Sequence, residues 1–521
     1  MPQVETVAIP KRLPLLIRPE NRSETPTQDA RLINGYMEKR EGMEEYHIYK
    51  RPGLLQFGEA QSGNGYGVYN WQGDIYAIFG TTMYKNGVAL AGTLDTTGGV
   101  YSFSQSLGGT LRMQFGNGVK AYNYDAAGGI VEILAIITTT AGDFITAEYT
   151  ILTVGTTDFT LIGASSNTVG VVFTATGPGT GTGTATRASN FPFPSLKGWA
   201  YLDGTTYVGA PNADIRGCAE INNPTDWSDP LNTLSAQIEA DGGVALAKQL
   251  VYVILLGEWS TEVFYDQANP VASPLGPVQG AKISYGCANA DSVQDIDGVL
   301  LWIATNRSAA PQVLLLENLK PSIVSTQPIE RLLGEADLSE VFSFGIKYEG
   351  HRFYGITLKQ ENLTLVYDLT EHLWSQWTDA SGNYWPIVAT TFSSAQGRIL
   401  QHETNGKLYQ FDSTYTSDAG TPISVDLYTP NFDGGVRRRK QLNVMEFIAD
   451  QTPGSSLQVR CNDHDYATDK WTNFRNVDLS LRKPVLTNNG TFMRRAYHFH
   501  HQCDTRLRIQ AIELQMDLGT L

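Results

Sequence analysis

Apolar residues recur along this chain in short alternating runs, each ended by glycine, asparagine or aspartate. Between residues 66 and 90, three such runs are separated by glycine-containing turns. Alternation with a period of two predicts β-strands, and closely spaced turn residues predict tight hairpins. The helical period of about 3.6 residues is nearly absent. Only residues 235–256 and 329–341 offer a helical turn or two, so the pattern predicts an all-β protein.

The same small meander returns several times. Similar segments follow the first at residues 101–123, 198–214, 250–266, 293–316, 342–377 and 387–412. A meander of this size cannot bury both of its faces alone, and stacking several of them radially is the simplest solution. We therefore predict a propeller-like domain of six or seven small meander units over residues 61–424.

Three regions fall outside this repeat. Residues 136–190 carry only four charged side chains and alternate like a small β-module. Such a module can be inserted in a loop, because added loop length costs little entropy. Five strand-length segments after residue 425 predict a C-terminal β-sandwich over residues 425–521. Residues 1–60 predict an N-terminal arm followed by a strand that closes the propeller.

Charge is distributed unevenly along the chain. The 521 residues contain 38 Lys and Arg against 53 Asp and Glu, a net charge of −15. Residues 425–521 hold 13 against 11, which leaves 25 against 42 for residues 1–424. DNA affinity comes mainly from neutralising phosphates, so this chain is a poor candidate for wrapping DNA. Its acidic surface suits a passage that DNA crosses without sticking, or serves solubility alone.

Two features bear on the compartment in which the chain folds. No apolar run reaches the roughly 18 residues that a membrane helix needs, and prolines interrupt the N-terminal segment where a signal peptide would have its apolar core. No cysteine belongs to a CxxC pair, which favours free thiols in a reducing cytoplasm. The four cysteines are Cys218, Cys287, Cys461 and Cys503.

An ordered set of segments carries a family resemblance. The segments are NGYME at 34–38, KRPGL at 50–54, the block 257–306, LTLVYDLTEHLWSQW at 363–377 and CNDHDYATDKW at 461–471. Together they resemble the packaged-DNA stabilization, or tail nozzle, proteins of short-tailed bacteriophages (podoviruses). The likeness extends from about residue 30 to the end of the chain, apart from residues 136–190.

The resemblance implies a structural virion protein and not an enzyme. Members of this family form a ring, usually a hexamer, below the portal and adaptor, and the ring retains the packaged genome until ejection. The implied partners are further copies of the chain, the portal–adaptor ring, a tail fibre, spike or needle protein, and double-stranded DNA in transit. The implied location is the virion tail, after folding in the cytoplasm of the bacterial host. An acidic channel wall would repel phosphate and keep DNA mobile, and a neutral or basic wall would contradict that hypothesis.

The run Arg437, Arg438, Arg439 and Lys440 is the most pronounced charge feature of the sequence. Four like charges commonly form a solvated face. They also suit a protein interface with an acidic partner, either the neighbouring protomer or the adaptor ring. Direct contact with DNA is a third possibility, which fits less well with the acidic remainder of the chain.

A histidine cluster invites a metal interpretation. His498 and His500 share one face of a predicted strand, with His501 next to them. Cys461 or Cys503 could supply sulfur from an adjacent strand. Nothing in the sequence fixes a third or fourth ligand, so a half-buried strand that contains imidazoles is the simpler prediction, and we predict no metal site.

Acidic residues offer no clear catalytic or calcium-binding pattern. The run Asn462–Asp465 with Asp469 lacks the glycine and the closing glutamate of an EF-hand, and predicts a turn. Glycosidases need two converging carboxylates. Glu258, Glu262 and Asp266 lie on one predicted strand-and-turn stretch, where Glu258 and Glu262 share a face, as acids on a strand often do by chance.

No nucleophile elbow, zinc-protease motif or Walker loop occurs in the sequence. The glycine-rich run at 177–183 lacks the lysine of a phosphate-binding loop, and most tryptophans lie in apolar strand runs that predict packing between blades. We therefore predict no catalytic residue and no cofactor. A receptor- or glycan-binding tail β-protein is the main alternative, and a propeller hydrolase is a weaker one. Oligomeric state separates the first two, because phage fibres and spikes are typically trimers.

Overall fold

A computed structural model of the chain describes residues 10–18, 30–39, 46–236, 238–465, 467 and 469–518. β-Strands make up almost all regular structure in these residues. The prediction of an all-β fold is confirmed. No helix within the described residues is long and apolar enough to cross a membrane.

One α-helix, Gln327–Glu335, occurs in the described residues. Pro328 lies in its first turn, where the missing N–H group has no helical partner to lose. Ile329, Leu332 and Leu333 are buried on one face at helical spacing. The sequence indicated a helical turn here. In the other candidate region, 235–256, the chain forms an antiparallel hairpin instead.

The chain forms two compact units. The first comprises residues 1–79, 294–303 and 310–521, and the second comprises residues 80–293 and 304–309.

The second unit contains three four-stranded antiparallel sheets, which we call blades 2, 3 and 4. Blade 2 consists of Ser102–Ser106, Arg112–Gly116, Ala121–Asp125 and Gly129–Glu132. Blade 3 consists of Trp199–Leu202, Thr205–Gly209, Asp214–Gly217 and Thr233–Ser235. Blade 4 consists of Gly243–Gln249, Tyr252–Gly257, Thr261–Asp266 and Leu275–Pro277. A short hairpin (Thr82–Lys85 and Val88–Ala89) and a 3-10 helix (Ala290–Ser292) complete the unit together with an inserted module.

The inserted module lies between blades 2 and 3 in the chain. Its four strands are Ile136–Thr140, Glu148–Thr153, Val172–Thr174 and Thr184–Ala188, with a 3-10 helix at Phe159–Ile162. The module has a core of its own, centred on Phe144, Tyr149, Phe159 and Phe173. Because the module buries its apolar residues in this core of its own, it can interrupt the repeat without joining a blade.

The first unit contains two more blades of four strands, blades 6 and 7, each of which is part of a larger sheet. Blade 6 consists of Val341–Tyr348, His351–Leu358, Leu363–Asp368 and Leu373–Gln376. Blade 7 consists of Ile387–Ser393, Gly397–His402, Leu408–Asp412 and, from the N-terminal part of the chain, Gly53–Phe57. Gly53 pairs with Asp412 and Leu54 with Phe411, so a strand from the N-terminal segment closes this sheet. A β-carbon on Gly53 would lie 2.5 Å from the carbonyl oxygen of Ser417, which explains the glycine. The short strands Ser417–Asp418 and Thr421–Pro422 follow the blade.

Two further groups of four strands follow the same order along the chain. They are Gly65–Trp71, Asp74–Phe79, Thr82–Lys85 and Val88–Ala89 (blade 1), and Gln294–Ile296, Val299–Ala304, Gln312–Glu317 and Lys320–Ile323 (blade 5). Apart from the inserted module, seven groups of four strands therefore succeed one another in the described chain between residues 65 and 412, and Gly53–Phe57 supplies the fourth strand of the last group. Repetition of small antiparallel sheets is typical of a β-propeller, and the number agrees with the six or seven expected units.

A sandwich of two sheets follows in the first unit. One sheet contains Pro10–Arg12, Gly35–Lys39, Tyr46–Lys50, Lys440–Ala449, Val485–Thr487, Thr491–Phe492 and Arg508–Leu518. The second sheet of the sandwich contains the strands Arg31–Ile33, Val425–Tyr428, Ser456–Asn462, Arg475–Asp478 and Ala496–His501. Leu32, Met37 and Ile48 enter the same core as Phe447 and Phe499. Strands of the N-terminal arm thus complete both sheets, which the sequence did not predict.

A buried arginine fixes the arm in place. Arg51 Nε donates to Asn34 Oδ1 (3.1 Å), and Nη1 donates to the Pro52 carbonyl (3.1 Å) and Asp418 Oδ1 (3.0 Å). Nη2 donates to the Thr378 carbonyl (3.1 Å) and Asp418 Oδ2 (2.6 Å). All five N–H groups of the guanidinium therefore have acceptors, which compensates its loss of hydration. We call Arg51, Asn34, Pro52, Thr378 and Asp418 the Arg51 network.

Candidate protein interface

The basic run predicted from the sequence lies in the loop before the strand Lys440–Ala449. Arg437, Arg438 and Arg439 are all exposed. Among the described residues, Arg438 and Arg439 have no carboxylate within ion-pair distance, and Arg437 Nη2 lies 3.9 Å from Asp465 Oδ2. We call Arg437–Arg439 the basic loop. It presents three exposed guanidinium groups, of which those of Arg438 and Arg439 have no carboxylate partner among the described residues and that of Arg437 is only loosely paired.

Lys440 does not belong to this surface, which corrects the grouping made from the sequence. Lys440 is only 2% exposed to solvent. Its ammonium group donates to the carbonyl oxygens of Arg438 (2.8 Å) and Met493 (2.9 Å) and lies 5.5 Å from the centre of the Phe492 ring. Burial lowers the pKa of Lys440. Lys440 therefore anchors the end of the basic loop and contributes no charge to a partner.

The other end of the basic loop is a tight turn. The carboxylate of Asp433 accepts a hydrogen bond from the backbone of Gly435 (2.9 Å), and Lys11 donates to the carbonyl of Gly434. Gly434 and Gly435 have φ values of 62° and 83°, which glycine adopts without strain. Anchors on both sides hold the three arginines in a defined position.

His498 and His500 lie on the outer face of the second sandwich sheet, where both contact Asp426. Asp426 Oδ1 is 2.7 Å from His498 Nε2 and 2.8 Å from His500 Nδ1. One ligand atom from each of the three residues lies within 4.8 Å of the others, so the group is a candidate for metal binding. Cys461 pairs with Tyr497 and therefore faces the opposite side of the sheet. Cys503 instead contacts Ser456.

Arg460 argues against a metal ion at these histidines. Its Nε donates to His498 Nδ1 at 2.8 Å, so the hydrogen of this imidazole is on Nε2 and points at Asp426. A metal on Nε2 would move that hydrogen to Nδ1, directly against the guanidinium. The three residues are better described as a hydrogen-bonded cluster.

Charge in this cluster follows from its hydrogen bonds. Burial alone would raise the pKa of Asp426, but hydrogen bonds from both histidines outweigh it and hold the pKa well below its usual range. The hydrogen bond to Asp426 raises the pKa of His500, whereas burial lowers the pKa of His498. Asp426 is therefore ionised, His500 takes up a proton more readily than a free imidazole, and His498 donates to the carboxylate as a neutral ring.

His501 faces the sandwich core and is fully buried. Its Nε2 lies 3.1 Å from Ser455 Oγ, and burial lowers the pKa of His501 to about 3. The unfolded chain binds a proton at this residue below about pH 6.5, while the folded chain stays neutral. Stability from His501 is therefore complete above pH 6.5 and is lost as the pH falls toward 3.

We expect His501→Gln to reduce the acid sensitivity of the sandwich. At about 1.4 kcal/mol per pH unit, His501 costs wild-type protein about 2 kcal/mol between pH 7 and pH 5. Urea unfolding at both pH values measures this difference, which should shrink by that amount in the variant. His464 is exposed, and His464→Gln serves as the control. An unchanged pH dependence in His501→Gln would contradict the assignment.

The acidic run Asn462–Asp465 binds arginines. Asp463 accepts hydrogen bonds from Arg495 Nε (2.6 Å) and Nη2 (2.8 Å). Asp465 Oδ1 lies 3.3 Å from Arg494 Nη1, and Asp469 pairs with the adjacent Lys470 (3.1 Å). Guanidinium groups take the places that a cation would need, so this run stabilises a turn and is not a calcium loop.

The acids considered for glycoside hydrolysis lie in three different environments. Glu258 is an exposed residue of the hairpin tip, outside the strand Thr261–Asp266. Glu262 is buried and accepts a hydrogen bond from the backbone of Ile238 (2.8 Å). Asp266 accepts a hydrogen bond from the backbone of Ala268 (2.7 Å). Glu258 and Glu262 therefore do not share the strand face that the sequence suggested.

The glycine-rich run 177–183 packs within the inserted module. The backbone of Gly183 donates to Thr157 Oγ1 (2.8 Å), and a β-carbon on Gly183 would lie 2.5 Å from the carbonyl oxygen of Val154. The glycines therefore permit close packing of the loop and do not form a phosphate cradle.

Sequence reasoning missed Asp426 as the partner of the histidines and Lys440 as an anchor. Asp426 lies on a different strand, far from the histidines in the sequence, and only the strand register places it beside His500. The one signal was its position as the acid in an otherwise apolar strand, VDLY. The exposed Trp259 is a further residue that its apolar surroundings in the sequence did not distinguish.

Comparison with known proteins supports the fold and gives the family. No curated protein sequence matches the chain. Among solved structures, the computationally designed Ika8 protein covers 69% of this chain and 100% of its own at 10% identity, with a TM-score of 0.34. BamB from Moraxella catarrhalis covers 69% and 94% at 11% identity, with a TM-score of 0.32. Likenesses of this size say nothing about function.

The family comparison is more specific. A model of the phage stabilisation family, described as "Bacteriophage P22 Gp10, beta-propeller", matches residues 19–416. This match covers most of the chain, including all seven blades and the part of the N-terminal arm that contains Arg51. The chain belongs to this family of phage structural β-propeller proteins.

Proposed function

We propose that this protein is the tail nozzle of a short-tailed phage. In this role, six copies form a ring below the portal and adaptor, retain the packaged genome, and provide the channel for its ejection. The observation that carries the proposal is the family match over residues 19–416. Synthesis in the host cytoplasm fits the four cysteines, all of which are free thiols.

The basic loop supplies a contact suited to ring formation. A closed ring needs heterologous contacts, in which two different surfaces of neighbouring copies meet. The basic loop is one such surface. Residues 1–424, with 25 Lys and Arg against 42 Asp and Glu, offer the complementary sign. Opposite charges also align the partners before contact and suppress incorrect pairings.

The same acidic charge supports DNA passage. A strongly negative protein surface repels phosphate and gives a moving duplex few places to adhere. The proposal therefore assigns the basic loop to contacts between proteins and not to DNA.

Six copies bound per portal–adaptor assembly is the stoichiometry that this function requires. The mass of the reconstituted assembly tests it. A trimer without affinity for the portal–adaptor complex would overturn the proposal and favour a receptor-binding role.

A further inference from the structure

Trp259 differs from the other tryptophans of the chain. Of the nine, seven are buried and Trp471 is half-buried, whereas Trp259 is 39% exposed. It lies at the tip of the hairpin that joins Tyr252–Gly257 to Thr261–Asp266 in blade 4. An indole that borders a cavity and stays partly in water can contact a ligand through its apolar ring while its N–H remains available for a hydrogen bond.

The backbone that carries Trp259 is rigidly held. The carboxylate of Asp241 accepts hydrogen bonds from the N–H groups of Glu258 (3.0 Å), Trp259 (2.8 Å) and Ser260 (2.7 Å). It also accepts one from the hydroxyl of Ser260 (3.0 Å). Three consecutive N–H groups bound to one carboxylate fix the conformation of the tip, so little entropy is lost when a ligand binds there.

Two neighbouring loops are tied to the same hairpin. The backbone of Gly286 donates to the carbonyl of Thr305 (2.8 Å), and the hydroxyl of Thr305 donates to the carbonyl of Glu258 (2.6 Å). A β-carbon on Gly286 would lie 2.2 Å from the carbonyl carbon of Glu258, so only glycine allows this approach. Hydrogen bonds and close backbone packing therefore hold the surroundings of Trp259 in a defined conformation.

A cavity of about 290 Å³ opens beside the indole. Hydroxyl, phenol and amide groups line it, contributed by Ser260, Ser284, Tyr285, Asn306 and Ser308. This volume is near the low end for small-molecule sites and suits one or two sugar rings. An aromatic face surrounded by short polar groups complements a pyranose, which has an apolar C–H face and a rim of hydroxyls.

The charged groups of the cavity indicate the kind of sugar. Lys282 and Arg307 line it together with the single carboxylate of Glu239. Lys282 pairs closely with Glu239, while Arg307 Nη2 stays 3.6 Å from Glu239 and the Arg307 side chain is 63% exposed. The two cations share one carboxylate, so the cavity carries a net positive charge, and the exposed Arg307 guanidinium can also bind an anion, in a chain whose overall charge is −15.

We infer that this cavity binds an acidic sugar unit of a bacterial surface polysaccharide. Trp259 stacks on the sugar ring, the hydroxyl and amide groups bind its hydroxyls, and Arg307 pairs with its carboxylate. A nucleic acid would need a track of several cations, which the cavity lining does not provide. The inference goes beyond the proposed nozzle role and does not depend on ring assembly.

Saturation-transfer-difference NMR on the full chain tests the inference with two tetrasaccharides of matched size. Acidic tetragalacturonate should show transfer to its ring protons, and neutral maltotetraose should bind about tenfold more weakly or not at all. Trp259→Ala should weaken tetragalacturonate binding at least about tenfold. Arg307→Ala should remove the preference for the acidic sugar, because only the anion contact is lost.

Phe392→Ala provides the control, since Phe392 is also an exposed aromatic residue but lies in blade 7. It should bind tetragalacturonate like wild type. Absence of binding by wild type at millimolar sugar, or binding that Trp259→Ala leaves unchanged, would overturn the inference. So would a Trp259→Ala variant that changes oligomer mass without affecting sugar binding, because the surface would then be a protein interface. The nozzle role is tested separately, by the mass of the wild-type assembly.

Discussion

Replacing Arg51 with methionine is expected to lower the free energy of unfolding by about 3–5 kcal/mol. Methionine fills a similar length of the site but leaves the carboxylate of Asp418 and the carbonyl of Thr378 without the guanidinium donors, while Asn34 Oδ1 keeps only the backbone N–H of Thr378. Asp418 is itself largely shielded from water, with 16% of its side chain exposed. Breaking one side of a buried ion pair strands the other charge, and this cost exceeds the value of the pair itself.

Urea unfolding, monitored by tryptophan fluorescence, measures this loss in the free energy of unfolding. The Arg51 guanidinium lies 5.3 Å from the ring centre of Trp385 and 5.9 Å from that of Trp377, so both indoles report on the network. Arg12→Met is the matched control. Arg12 pairs with Glu513 at 3.2 Å, but half of its side chain is exposed, and such surface pairs contribute about 0–1 kcal/mol. Equal losses in the two variants would show that the Arg51 network does not secure the arm.

Reversing the basic loop with Arg437→Glu, Arg438→Glu and Arg439→Glu is expected to weaken association between copies at least about 100-fold. The change replaces attraction by repulsion wherever the loop meets carboxylates of a neighbour. Folding should be unaffected, because all three side chains are exposed and Lys440 still anchors the loop. Sedimentation at several protein concentrations gives the dissociation constant.

The control carries the same change in net charge elsewhere on the sandwich. Lys470, Arg482 and Lys483 are exposed residues, and a triple change of these to glutamate should leave assembly intact. Higher salt should weaken wild-type association in the same direction as the loop reversal. If the loop-reversed protein assembles normally but loses affinity for DNA, the basic loop binds nucleic acid and the interface proposal is wrong.

Much of the fold follows from local pattern. Alternating runs with glycine turns predict four-strand meanders, because each meander is completed by residues adjacent in sequence. Blade 7 needed one longer-range step, the closing strand that the sequence predicted within residues 1–60. The sandwich was harder to predict, since Arg31–Ile33 and Gly35–Lys39 pair with strands near residues 376, 426 and 48. Nothing in a single sequence specifies such partners.

The extent of the exposed basic loop was predicted only in part, because the sequence prediction did not take into account the alternation of side chains along the following strand. Charge density identified Arg437–Arg439 correctly as exposed residues. Lys440, however, is in phase with Leu442, and both side chains point into the sandwich as their strand begins. Alternation along KQLNVMEF could have separated Lys440 from the arginines. The position of Asp426 beside His498 and His500 required the register between two strands that are far apart in sequence, which composition and spacing do not encode.

Native mass spectrometry of the purified protein, alone and mixed with the portal–adaptor complex of its phage, tests the nozzle role most directly. We expect six copies of this chain on each portal–adaptor assembly. A stable trimer that does not bind the portal–adaptor complex would contradict it.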